Sequence, residues 1–244
     1  MIWDNFKSHF HESWHSKIRP FIESEACDKI YAKLKEDGRR GVKIAPNSNL
    51  TFRAFQETPL NECRAIIMGL CPYHTFINGS PVADGLSLSC GITNKMQPSL
   101  TVFLDAIEDD VYKGLALDRE KRADLTYLAK DEKILLINAG LTTSKDKAGN
   151  MVDLWEPFMR YILEEVVGYT GIPIIFLGKE AGKLEKYVTP FTHIFHLTHP
   201  SFFARLNQPM DHKNVFSTVS EIVRQNNGFI INWLPKIENK HENN

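Results

Sequence analysis

The residues best placed to do chemistry stand in one short stretch, Gly69-Leu70-Cys71-Pro72-Tyr73-His74, directly after the apolar run Ala65–Met68. An apolar run that breaks into proline, tyrosine and histidine is the pattern of a strand delivering a loop to an active-site floor. The centre of that loop limits its chemistry. A thiol with an ordinary pKa of about 8.5 is mostly neutral at pH 7, and the leucine before it is neither acid nor base. Cys71 acts as a nucleophile only as a thiolate, and the one basic group close to it in sequence is His74. Cys27, Cys63 and Cys90 are scattered, with no C-x-x-C pair and no histidine at zinc-ligand spacing. This usage predicts a reduced, cytoplasmic protein that carries neither a metal nor another cofactor.

Something must hold that loop in place. Four short apolar runs stand out: Ala65–Met68, Ile134–Ile137, Ile172–Leu177 and His193–Leu197. Each ends in a turn or polar cluster, as buried parallel strands with functional loops at their carboxyl ends do. Helical spacing appears over Leu100–Tyr112, with Ser99 as N-cap, over Leu154–Val167 and over Val215–Arg224. Strands alternating with helices predict an α/β protein with a central, mostly parallel four-stranded sheet flanked by helices. Neither a linker nor a repeat interrupts the chain, so one domain over residues 1–244 is expected. Residues 1–60 read as helices and turns packed outside the sheet, and residues 236–244 as a frayed tail.

The composition, 43% hydrophobic and 24% charged, is that of an ordinary globular chain able to bury a core. A net charge of −1 advertises no nucleic-acid partner, although a groove needs only local positive charge. The opening MIWDNFKSHFHESW is neither signal peptide nor span, and no apolar run approaches the roughly 20 residues a membrane helix needs. No membrane partner is therefore expected.

Four segments, in order, resemble the main uracil-DNA glycosylase family. The first, FRAFQETPLNECRAIIMGLCPYH, resembles the segment that ends in that family's water-activating GQDPYH loop. DGLSLSC (Asp84–Cys90) is placed like the HGLxFS segment with its uracil-stacking phenylalanine. ILLINAGLTT is close to the LLLNxxLTV strand whose asparagine reads the base. LTHPSFFARLNQ resembles the HPSPLS loop that carries the catalytic histidine and an intercalating leucine. Shorter echoes are QPSL (Gln97–Leu100), like the proline-rich phosphate loop, FLGK (Phe176–Lys179), like the glycine-serine loop, and INW (Ile231–Trp233).

The resemblance implies a metal-free, monomeric DNA glycosylase that flips a base from duplex or single strand and leaves an abasic site. On it, His199 donates to the pyrimidine O2, and Asn138 reads the base's Watson–Crick edge. Tyr73 blocks a C5 substituent, and backbone amides around Leu70–Cys71 add donors. Phe203, with Leu206 as a second candidate, fills the gap left by the flipped nucleotide. Gln97, Pro98, Ser99, Gly178, Lys179 and Ser201 contact phosphates.

The chain departs from the family at the base pocket. Cys71 replaces the aspartate of GQDPYH and Leu70 the glutamine, Leu88 stands for the stacking phenylalanine, and Asp84 takes the place of a histidine. The link from His74 to Gly85 is also longer than the family's. Losing one electrostatic group of this kind commonly costs on the order of 10²–10³ in rate. Altered pocket and retained scaffold point to a changed substrate, a 5-substituted or glucosylated cytosine such as phage DNA carries, with a defence role. His199 or Asp84 would then supply the proton that a cytosine leaving group needs. Two other readings stand beside it. One is a conventional or slow uracil glycosylase in base-excision repair, its acid replaced by Asp84 or another group, and the other a DNA-binding module that breaks no bond.

Overall fold

The computed structural model describes residues 5–115, 118–168, 170–190 and 192–237. Its strands are β1 (Ile44–Ala45), β2 (Ala65–Gly69), β3 (Phe76–Ile77), β4 (Ser80–Pro81), β5 (Ile134–Asn138), β6 (Thr143–Ser144), β7 (Ile174–Leu177) and β8 (Ile194–Leu197). All four apolar runs became strands of one sheet, in the order β5-β2-β7-β8. The expectation was a mostly parallel sheet; every pairing in this one is parallel. Every residue of β2, β5 and β7 is buried, which is why these strands read as unbroken apolar runs without alternation. A parallel sheet sends all its carboxyl ends to one edge, and there the loops gather.

The longer helices are α1 (His15–Ile22), α2 (Glu25–Arg39), α3 (Pro98–Tyr112), α4 (Val152–Tyr161), α5 (Pro200–Leu206) and α6 (Val215–Asn227). Ser99 is not the cap of α3. Gln97 holds the N-cap position and Pro98 opens the helix, where its fixed φ suits the first turn and its missing N–H costs nothing. The helical pattern over 154–167 divides into α4 and a wider-wound continuation over Ile162–Val167. The buried Asp110 of α3 caps α6, accepting from the backbone of Phe216 at 2.8 Å and of Ser217 at 3.1 Å. A carboxylate at a helix N-terminus satisfies orphan donors and the helix dipole together.

Residues 5–60 lie outside the four-stranded sheet. Phe52 and Phe55 meet Phe158 of α4 with ring centroids 5.7 and 5.5 Å apart. One tie was not anticipated: β1 pairs antiparallel with β6, Ile44 opposite Ser144. A two-residue strand has no periodicity to read. At the other end the predicted fray does not begin at 236, because Ile237 donates to the Asp118 carbonyl at 2.8 Å. Residues 238–244 of that segment lie outside the described residues.

Candidate active site

The parallel ladder continues one step past the ends of β2 and β5. Ala139 donates to the Gly69 carbonyl at 2.8 Å and Gly140 to that of Leu70 at 2.9 Å, which holds Asn138 beside the Leu70–Cys71 turn. No side chain fits at Gly69, where a Cβ would stand 2.5 Å from Asn138 Oδ1 and 2.6 Å from Ser87 Oγ. Between these strand ends and those of β7 and β8 lies a cavity of about 360 Å³. Leu70, Cys71, Tyr73, His74, Leu88, Asn138, Gly178, Lys179 and His199 all line it.

Asn138 is buried and its orientation is fixed by Ser87, whose hydroxyl donates to Oδ1 at 3.1 Å. Both Nδ2 hydrogens remain for a ligand. His199 caps α5, its Nδ1 accepting the backbone N–H of Ser201 at 3.2 Å with Ser201 Oγ at 2.9 Å. Burial, helped by the Arg205 charge, pushes its pKa down to about 4. The ring is therefore a neutral donor through Nε2 at ordinary pH.

Tyr73 is anchored by its hydroxyl to Ser99 Oγ at 2.9 Å, and burial pushes its pKa up. Cys71 Sγ accepts the Gly149 N–H at 3.1 Å, yet burial outweighs that bond and raises the thiol's pKa. Cys71 is thus a neutral thiol, with none of the thiolate character that a nucleophile requires. Nδ1 of His74 is buried with no hydrogen-bond partner among the described residues. Leu88 has φ of +64°, a left-handed conformation costly for a bulky residue and typical of ligand-shaping sites.

No family model matches the sequence. Over 228 residues the chain is 31% identical to a uracil-DNA glycosylase of Streptococcus pyogenes serotype M49 (strain NZ131), a match spanning 92% of this chain and 99% of that protein. The chain belongs to the uracil-DNA glycosylase family. Its fold is that of mimivirus uracil-DNA glycosylase, with a TM-score of 0.80 at 21% identity over 94% of this chain and 89% of that one. A uracil-DNA glycosylase structure from Nitratifractor salsuginis superposes with a TM-score of 0.61 at 17% identity, over 85% of this chain and 96% of that one. As a member of the uracil-DNA glycosylase family the chain is a monofunctional DNA glycosylase, a hydrolase with DNA as its substrate.

Within this glycosylase not every expected residue reaches the cavity. Asp84 is fully buried outside it and does not supply an acid there. Its carboxylate accepts from Ser89 Oγ at 2.6 Å, from the backbone of Gly91 at 2.8 Å and of Leu86 at 3.2 Å, and pairs with Arg53 at 3.2 Å. Burial still pushes its pKa up against all four partners. The carboxylate that does line the cavity is Glu180, already paired with Lys183.

Phe203 is also displaced from its expected part. It is half-buried and packs against the core, whereas Phe202 is 45% exposed and Leu206 50% exposed. Four residues apart on α5, these two share a face. Ser99 and Ser201 line the cavity, while Gln97 and Pro98 stand just before it at the start of α3.

Reading the sequence missed Arg205 and Lys213. With Lys179 they line a second cavity of about 360 Å³ that shares His199 and Ser201 with the first. Single cations in a polar segment give no periodic signal. The lengthened loop after His74 is a β3–β4 hairpin, turned by Asn78 and Gly79 with φ of 51° and 84°. Asn-Gly is the signature of that turn, so the hairpin was open to being read. Among the described residues no His, Cys, Asp and Glu group could hold a metal ion, and no helix is long and apolar enough to cross a membrane.

Proposed function

We propose that this glycosylase, acting as a monomer, flips uracil out of DNA and excises it slowly, with a neutral histidine at the leaving base and no carboxylate at the sugar. The observation that carries the base assignment is the Ser87–Asn138 hydrogen bond of 3.1 Å. With Oδ1 held by Ser87, Nδ2 donates to a carbonyl such as uracil's O4, and the second lone pair of Oδ1 accepts from N3–H. Cytosine's amino group would meet Nδ2 donor to donor.

The bond from C1′ to the base nitrogen breaks with its electron pair leaving on the base. His199 Nε2–H donates to O2 as negative charge gathers there, a preorganised stabilisation that moves no proton to the base. The sugar becomes cationic, and the neutral Cys71 thiol does little to stabilise it. Phosphates of the DNA supply negative charge instead. Water then adds to C1′ and loses a proton to solvent or to the departed base anion, which balances the step. Without the carboxylate the rate falls short of a family member that has one by on the order of 10²–10³.

A second reading, excision of a bulkier 5-substituted or glucosylated cytosine in defence against phage, is favoured by Leu88, which leaves room where an aromatic ring would stand. The Tyr73–Ser99 contact of 2.9 Å opposes it by fixing the tyrosine that screens C5.

The test is incubation with uracil-containing, unmodified, hydroxymethylcytosine and glucosylated DNA, followed by alkali and counting of strand breaks. Breaks confined to uracil DNA, and lost with His199→Ala, are expected. Breaks confined to a modified-cytosine DNA would replace the first reading with the second.

A further inference from the structure

Cations sit at both ends of the row of strand ends, with the base cavity between them. At the β8 end are Lys179, Arg205 and Lys213, already described. At the opposite end, beyond β5, is a groove of about 690 Å³ lined by Lys33, Arg40, Lys43, Lys145 and Lys147. All five side chains are exposed. We propose that this groove is a second phosphate-binding track, holding the backbone of the substrate DNA beyond the edge of the base cavity.

The track is built from the same loop that shapes the cavity. After β5 the chain passes through Lys145 and Lys147 and returns to the base site, where Gly149 donates to Cys71 Sγ at 3.1 Å and Asp146 to the His74 carbonyl at 3.0 Å. Lys145 donates its backbone N–H to the Lys43 carbonyl at 2.8 Å, extending the β1–β6 pairing and bringing Lys43 alongside. Lys33 comes from α2 and Arg40 from its C-cap. Residues from two distant parts of the chain, 33–43 and 145–147, thus converge on one groove.

Two carboxylates, Asp37 and Asp153, share the groove. Asp37 is spent on Lys33 at 2.6 Å, Arg40 pairs with Glu36 at 3.5 Å, and Lys145 stands 3.8 Å from Asp146. Lys43 and Lys147, which line the same groove, take part in no ion pair among the described residues. These two lysines, set against the one carboxylate Asp153 that no ion pair occupies among the described residues, are the charge the groove offers a phosphate.

The spacing decides between a small anion and a polymer. Four strands about 4.8 Å apart put the two edges roughly 14 Å from each other, about four base steps at 3.4 Å of rise. One small anion needs one cluster, and a backbone crossing the sheet edge meets both. The proposal rests on DNA being the substrate and not on which base is excised.

The experiment measures Kd for an undamaged duplex, so base identity cannot affect it, over a series of salt concentrations. Wild type is compared with Lys43→Ala/Lys147→Ala, on one duplex that only covers the base cavity and one extended by a helical turn on both sides. Thermal melting checks that the variant is folded. Each phosphate contact contributes about 0.9 to the slope of log affinity against log salt, so the variant's slope on the long duplex should be shallower by about 1.8. The short duplex should bind both proteins alike. Equal slopes on the long duplex would overturn the proposal, and so would an equal loss on both lengths. A wild type that binds polyglutamate, and a variant that loses polyglutamate but not DNA, would assign the groove to an acidic polypeptide instead.

Discussion

Ser201 gives its backbone N–H to Nδ1 of His199 across 3.2 Å, and that bond fixes where the ring carries its proton. A backbone N–H only donates, so Nδ1 accepts and the hydrogen of the neutral ring sits on Nε2. The folded pKa of about 4 keeps the ring in that form through the physiological range.

The first prediction concerns pH. Because the folded pKa lies below the unfolded value of 6.5, the unfolded chain binds the extra proton between the two. Stability is whole above pH 6.5 and falls as the pH drops toward 4, by an amount on the order of 3 kcal/mol. Urea unfolding at pH 7 and pH 4.5 measures it, and His199→Gln should remove most of the difference. The same substitution should lower single-turnover excision by on the order of 10²–10³, while the wild-type rate shows no loss from histidine protonation between pH 8 and pH 5.

Cys71→Asp should raise the excision rate. The Gly149 N–H that now meets Sγ at 3.1 Å would meet a carboxylate, which stabilises the sugar cation as a thiol does not. Single-turnover assays on uracil DNA should gain on the order of 10²–10³, and Cys71→Ala should change little. A Cys71→Ala variant that lost activity outright would show the thiol to be part of the chemistry.

Phe202 and Phe203 should separate in their effects. Phe202→Ala removes an exposed ring and should weaken excision from duplex DNA more than from single strands, where no stack needs filling. Phe203→Ala opens a space beside the core and should lower stability by about 3 kcal/mol. Melting curves and duplex-to-single-strand rate ratios on the two variants distinguish the roles.

Arg53→Ala leaves Asp84 buried without its partner and should destabilise the fold by about 3–5 kcal/mol. Asp84→Asn keeps the shape and should cost less. In both, activity per folded molecule should persist, since Asp84 lies outside the cavity. A loss of turnover with unchanged melting would return Asp84 to the chemistry.

The sheet was legible because buried parallel strands write themselves as apolar runs, and Asn138 and His199 stood out because the segments carrying them, ILLINAGLTT and LTHPSFFARLNQ, resemble the family's. Asp84 misled for a physical reason: a carboxylate near a pocket in sequence looks like an acid, and only the fold reveals Arg53, Ser89 and two backbone donors waiting for it. Phe203 misled because a loop was expected, and α5 turns its inward and outward faces by helical spacing instead. Arg205, Lys213 and the groove beyond β5 assemble cations from separate segments, a kind of order with no linear trace.

Asn138 ends β5 and His199 follows β8, and these are the two outer strands of the sheet. Outer strands are the first to open, and they are not equal here: β5 is buried throughout, whereas His196 of β8 is exposed and Ile194 and Phe195 are half-buried. Partial opening therefore begins on the β8 side and loosens the seat of His199 while Asn138 is still held by a strand buried throughout.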